Sequence, residues 1–153
     1  MKLAPMVVGS VLAVLAAQAG AETVLTINGA EPREYTLEQL EEMPQAEYET
    51  TNAFVGEPTT FSGPLLRDLL AEDELPEDAE ITLRAINDYE VDVPLSDAMT
   101  YDVIIATRMD GKHMSVRERG PLWVMYPISD HPELEDSIYS SRLIWQLVAI
   151  NTE

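Results

Sequence analysis

Gly120-Pro121-Leu122-Trp123-Val124-Met125-Tyr126-Pro127 is the stretch on which the reading of this chain turns. Leu122 to Tyr126 is apolar and strand-sized, and Pro127, with no N–H to give to a ladder, ends it. Just upstream, Val103-Ile104-Ile105-Ala106-Thr107-Arg108 reads as a buried strand, and Asp110-Gly111 as the turn that follows it. Downstream, Leu143 to Ile150 reads as the last strand. Three apolar strands so close together predict a sheet-built core.

The earlier sequence adds β-rich segments and short helices. Val24 to Ile27 followed by Asn28-Gly29 reads as strand and turn. Thr36 to Met43 has the hydroxyl cap and spacing of a short helix. Tyr48 to Phe54 is extended in character. Phe61-Ser62-Gly63-Pro64 opens a second helix at Ser62 or Gly63, with Pro64 in its first turn and an end before Pro76. Ile81 to Ala85 and Glu90 to Val93 are alternating strands bridged by Asn87-Asp88, and Leu95-Ser96-Asp97 begins a short helix or turn. No repeat or linker divides the chain. The expected fold is α+β, a mainly-β single domain with two or three short helices, whose core includes Leu25, Ile27, Leu66, Leu69, Leu83, Val103, Ile105, Val124 and Leu147.

Residues 1–21 read as a cleavable signal peptide: Lys2, an apolar run from Val7 to Ala17, then Ala19-Gly20-Ala21. The run is too short for a membrane span, which takes about 20 apolar residues. Residues 22–153 are then the working domain, exported and without insertion in a membrane. The formal charge of −19 disfavours nucleic acid and anionic lipid as partners. Charge is uneven along the chain. Residues 22–107 hold three arginines against 21 acids, whereas residues 108–142 hold five cations against six acids.

The chain contains no cysteine, which removes thiolate metal sites and cysteine nucleophiles. His113 and His131 lie in no paired ligand motif, and neither a phosphate loop nor a G-x-S-x-G elbow is present. Composition alone predicts no enzyme. Three polar and aromatic clusters do stand at strand ends, where side chains can converge on a pocket. They are Asn87-Asp88-Tyr89, Arg117 with Trp123, and Tyr139-Ser140-Ser141-Arg142 ahead of Trp145. Each also has a structural reading: Asn87-Asp88 as a turn, the tryptophans as core, the arginines as rim ion pairs.

Five ordered motifs carry a resemblance across about residues 24–151. They are Phe61-Ser-Gly-Pro-Leu-Leu-Arg-Asp-Leu-Leu, Ala85-Ile-Asn-Asp-Tyr-Glu-Val-Asp-Val-Pro, Arg108-Met-Asp-Gly-Lys-His-Met-Ser-Val-Arg, Gly120-Pro-Leu-Trp-Val-Met-Tyr-Pro and Tyr139-Ser-Ser-Arg-Leu-Ile-Trp-Gln-Leu. Together they resemble the molybdopterin-binding domain of the sulfite oxidase family. The enzymes of that family share a cysteine that ligates molybdenum, and here it is missing, so the resemblance implies no molybdenum and no oxidoreductase activity. Gly120-Pro-Leu-Trp-Val and Arg142-x-x-Trp-Gln-Leu are particularly similar to the small PruR-type periplasmic pterin-binding proteins.

That likeness implies a periplasmic receptor for a reduced pterin, reporting to the periplasmic region of a membrane signalling protein, often one controlling cyclic-di-GMP. It implies Asn87, Asp88, Tyr89, Arg117, Trp123, Tyr139, Arg142 and Trp145 as pterin-binding residues. Asp88 would receive the paired N–H donors of the pterin, Arg117 would donate to the opposite edge, and Trp123 or Tyr89 would stack. Two other functions stay open: a residual molybdopterin-dependent oxidoreductase, and a ligand-free acidic domain that contacts a basic partner.

Overall fold

The computed structural model describes residues 22–153, and the expected signal peptide lies outside them. Two sheets and a short ribbon make up the domain. The first sheet comprises β1 (Thr23–Asn28), β2 (Arg33–Thr36), β5 (Glu80–Ala85), β6 (Glu90–Pro94) and β11 (Leu147–Asn151), in the order β2-β1-β11-β5-β6. Within it β1 and β11 run parallel, pairing Ile27 with Ile150. The second sheet orders β3 (Gln45–Asn52), β4 (Val55–Pro64), β8 (Arg108–Met109) and β9 (Lys112–His113).

The ribbon pairs β7 (Ile104–Ala106) with β10 (Trp123–Met125), and it joins the sheets. Leu65, just past β4, bridges to Ile104, while Trp123 bridges to Trp145 ahead of β11. The decisive octapeptide thus supplies the central ribbon strand. Both ribbon strands are fully buried, and all nine expected core residues are buried with them.

Four short helices cover this frame: α1 (Leu37–Glu42), α2 (Leu66–Leu69), α3 (Leu95–Thr100) and α4 (Ser137–Ser140). The first follows the sequence closely. Thr36 caps it, its hydroxyl accepting from the Gln39 N–H at 3.1 Å while the Gln39 side chain accepts from the Thr36 N–H at 2.9 Å. No helix of the described residues is long and apolar enough to cross a membrane.

Several expectations need correction. Phe61-Ser62-Gly63-Pro64 is the end of β4, not the start of a helix, which begins only at Leu66. Strand pairing wins because Phe61 is held between Tyr48 on one side and Met109 on the other. Gly63 is also needed there, since a Cβ would stand 2.0 Å from the Ile105 carbonyl oxygen. The extended segment read from Tyr48 is part of β3, which begins at Gln45 and ends at Asn52, and Ala53 and Phe54 form a hairpin turn in which Asn52 Oδ1 accepts from the N–H groups of Phe54 and Val55. The last strand starts at Leu147 rather than Leu143, because Gln146 adopts a left-handed backbone, φ 52°, and breaks the pairing. Trp145 therefore lies outside a strand. The fourth helix, α4, went unforeseen; Asp136 caps it by accepting from the Ile138 N–H at 2.9 Å.

Candidate functional site

The turn from β5 to β6 presents Asn87 and Tyr89 to a cavity of about 340 Å³, completed chiefly by Phe54, Ser140, Ser141 and Trp145. Its size lies within the range of small-molecule sites. Phe54 and Trp145 meet edge to face with ring centroids 4.9 Å apart, and the Tyr89 hydroxyl donates to the Ser141 carbonyl at 3.3 Å. Two of the three clusters singled out in sequence thus contribute neighbouring walls, through Asn87, Tyr89 and the Ser140–Trp145 segment.

The backbone around this cavity is strained. Asp88, Arg119 and Gln146 are all left-handed, with φ of 65°, 72° and 52°. For residues with a Cβ this costs roughly 1–2 kcal/mol each, less for aspartate, so the surroundings must impose it. Hydrogen bonds do so: Gln146 N–H donates to the Arg119 carbonyl at 3.1 Å, Ile86 N–H to the Gln146 carbonyl at 3.0 Å, and Asp88 N–H to the Ala85 carbonyl at 3.0 Å.

Arg119 is the functional candidate that the sequence reading did not select. Its guanidinium carbon lies 5.2 Å from the Trp123 ring centroid, 5.4 Å from Trp145 and 5.8 Å from Phe54. Two of those rings line the cavity. No ion pair among the described residues includes Arg119, although acids abound in the chain. Three aromatic faces hold a cation that has no carboxylate, leaving its N–H donors for water or a ligand. The available signal was its place directly before Gly120-Pro121, where a Cβ on Gly120 would come 2.1 Å from the Met114 carbonyl oxygen and the backbone must pass close.

The other expected residues distribute unequally. Trp123 is 1% exposed and donates its indole N–H to the Leu143 carbonyl at 3.0 Å, so it packs against Trp145 outside the cavity lining and offers no free face. The carboxylate of Asp88 points away into solvent, 85% exposed and 3.3 Å from Arg84. Arg117 is exposed on the 3-10 turn Val116–Glu118 and lines no part of the cavity. Asp88 and Arg117 therefore do not face one another across it.

Arg142 and Tyr139 belong to a closed network. Arg142 donates to Asp97 Oδ2 at 2.6 Å, Tyr126 donates to the same oxygen at 2.7 Å, and the Tyr139 ring lies 5.2 Å from the Arg142 guanidinium. Burial pushes the Tyr126 hydroxyl pKa far up, and the Asp97 charge pushes it further. This cluster is a structural ion pair with satisfied partners.

Metal donors are sparse. Among the described residues no three histidines, aspartates or glutamates converge, and the sequence has no cysteine. His113 contacts Glu41, and His131 stands 3.6 Å from Glu133. The cavity lining carries no charged side chain, so it suits a planar, weakly charged compound better than a phosphate-bearing one.

Comparison with known proteins agrees with the fold. The sulfane dehydrogenase SoxCD from Paracoccus pantotrophus is similar in structure, with a TM-score of 0.64 at 16% identity. That match covers 86% of this chain but only 38% of the SoxCD chain. Among curated proteins none matches. The model of the oxidoreductase molybdopterin-binding domain matches residues 14–129. This mainly-β chain, with its ribbon-linked sheets, belongs to the oxidoreductase molybdopterin-binding domain family.

Proposed function

We propose that the protein is an exported pterin receptor, not an oxidoreductase, and that its liganded form is read by a membrane signalling partner. The observation that carries this is the uncharged cavity of Phe54, Tyr89 and Trp145 in a chain without a cysteine. Membership of a molybdopterin-binding family makes a pterin-type compound the ligand class. The donor set does not fit a molybdenum centre held by the protein, because neither a thiolate nor a converging cluster is at hand among the described residues.

A pterin without metal fits these residues better. Trp145, Tyr89 and Phe54 would enclose the ring system, and the Asn87 amide and the polar groups of Ser140 and Ser141 would meet its edge. Arg119 would take the donor role expected of Arg117, toward a ring oxygen or nitrogen. Export rests on the leader-like residues 1–21, and the signalling partner, with its cyclic-di-GMP link, on the PruR-type resemblance of Gly120-Pro-Leu-Trp-Val and Arg142-x-x-Trp-Gln-Leu.

Native mass spectrometry of the purified protein, with titration of reduced and oxidised pterins followed by tryptophan fluorescence, tests the reading. Stoichiometric binding that Trp145→Ala weakens at least about tenfold, or about 1.4 kcal/mol, is expected. A copurifying molybdenum-dithiolene cofactor, or no affinity for any pterin, would overturn it.

A further inference from the structure

A second concavity shares a wall with the cavity. Ile86 lines it, whereas the flanking residues Ala85 and Asn87 line the cavity. It is an open groove of about 890 Å³ with Val24, Leu37, Ile86, Met114, Val116 and Val148 providing an apolar surface. Ile86 and Val116 are 59% and 58% exposed, two of the few large hydrophobic side chains that face water in the described residues. Grouped apolar exposure with a polar rim marks a surface that meets another molecule.

The rim carries one sign of charge. Glu22, Glu38, Glu41 and Glu42 line the groove, three of them from α1, and His113 is the only histidine, lysine or arginine in the lining. Glu41 is already matched by Arg108 and His113. Glu38 and Glu42 enter no ion pair among the described residues. An acidic rim around apolar ground repels anionic lipid, and it repels a second copy of itself. It complements a segment that is both basic and apolar.

We propose that this groove docks an amphipathic, lysine- or arginine-bearing segment of a partner protein, with aliphatic side chains seated near Ile86 and Val116 and cations toward Glu38 and Glu42. The proposal deepens the receptor reading and rests on it for the identity of the partner as a signalling protein. The physical docking stands without any pterin. The same wall also offers a short connection between ligand and partner. Gln146, next to Trp145, donates its side-chain N–H to the Val116 carbonyl at 2.9 Å and accepts from the Ile86 N–H at 3.0 Å.

The test is fluorescence anisotropy of a labelled helical peptide of leucine and lysine, titrated with the full protein in the absence of pterin. Ile86→Asp and Val116→Asp should each weaken binding at least about tenfold, or about 1.4 kcal/mol. Ile138→Asp, at a position 52% exposed and outside the groove, should leave it unchanged. The added acid attracts the peptide in all three variants, so a loss confined to the groove cannot come from charge. Glu38→Gln with Glu42→Gln should weaken binding and flatten its salt dependence. Circular dichroism verifies folding of each variant. Equal binding by Ile86→Asp and Ile138→Asp, or equal affinity for a polylysine without leucine, overturns the proposal. So does a concentration-dependent dimer that Ile86→Asp abolishes, which gives the groove to a second copy. Failure here with normal pterin binding leaves the receptor cavity intact, and the reverse result removes the cavity alone.

Discussion

Arg142 and Arg119 both lie against aromatic rings, yet their surroundings are opposite. Arg142 is 14% exposed and spends its charge on Asp97, which also accepts from Tyr126. Arg119 faces Phe54, Trp123 and Trp145 and has no carboxylate partner among the described residues. In a chain of net charge −19, an arginine with an acid beside it needs no functional explanation. One without such a partner, stacked against two rings that line the cavity and on strained backbone, does. The difference separates charge used by the fold from charge left available to a ligand.

The comparison breaks most readily at Asp97. Asp97→Ala leaves the Arg142 guanidinium buried without its partner and the Tyr126 hydroxyl without its acceptor, a loss of about 3–5 kcal/mol. Urea unfolding measures it. The double variant with Arg142→Met should recover part of that loss, because the uncompensated charge is gone. A loss under about 1 kcal/mol would mean that the network is not closed.

Next in size are the two tryptophans that bridge to one another. Trp123→Ala removes a fully buried side chain and should cost about 3–4 kcal/mol. Trp145 is only half-buried, so its replacement should cost clearly less in stability while abolishing most pterin affinity. If Trp145→Ala and Trp123→Ala destabilise equally, the open side of the bridge is as structural as the closed side. Thermal melts with and without pterin distinguish the cases. Arg119→Ala follows, with about 1 kcal/mol lost from the aromatic contacts and a larger proportional effect on pterin binding than Arg117→Ala.

Much of this was legible in local sequence, and the unread part has a common cause. Apolar runs at Val103–Ala106 and Leu122–Tyr126 identified buried strands because continuous hydrophobicity has one cheap solution. The Thr36 hydroxyl announced α1 because capping is local. The Phe61–Pro64 segment misled, since its helix-start chemistry is local whereas its pairing with Tyr48 and Met109 is not. Asn87, Tyr89 and Trp145 were selected by residue type, and the fold gathers them around one cavity. Arg119 was missed because its three rings come from residues 54, 123 and 145, a convergence that only the folded chain displays. Arg117 and Arg119 are neighbours on one turn, and only the folded chain shows that Arg119 is the one set against the rings.

The smallest effect concerns an ion pair of the same chemistry as Arg142–Asp97 but placed at the surface. Arg108 stands 3.1 Å from Glu41, with side chains 38% and 24% exposed. Burial raises the Glu41 pKa, but hydrogen bonds from Arg108 and His113 outweigh it and hold the carboxyl below its usual value of 4.5. A depressed folded pKa stabilises above the unfolded value and ceases to do so as pH falls through the folded one. Glu41→Gln should therefore cost less than about 1 kcal/mol at neutral pH, given solvent screening, and the difference from the parent should vanish below the carboxylate range. Urea midpoints across that interval would reveal it. A gap that persists into acid would show Glu41 acting through packing beside the groove instead of charge, and would bring the exposed pair closer in kind to the buried one.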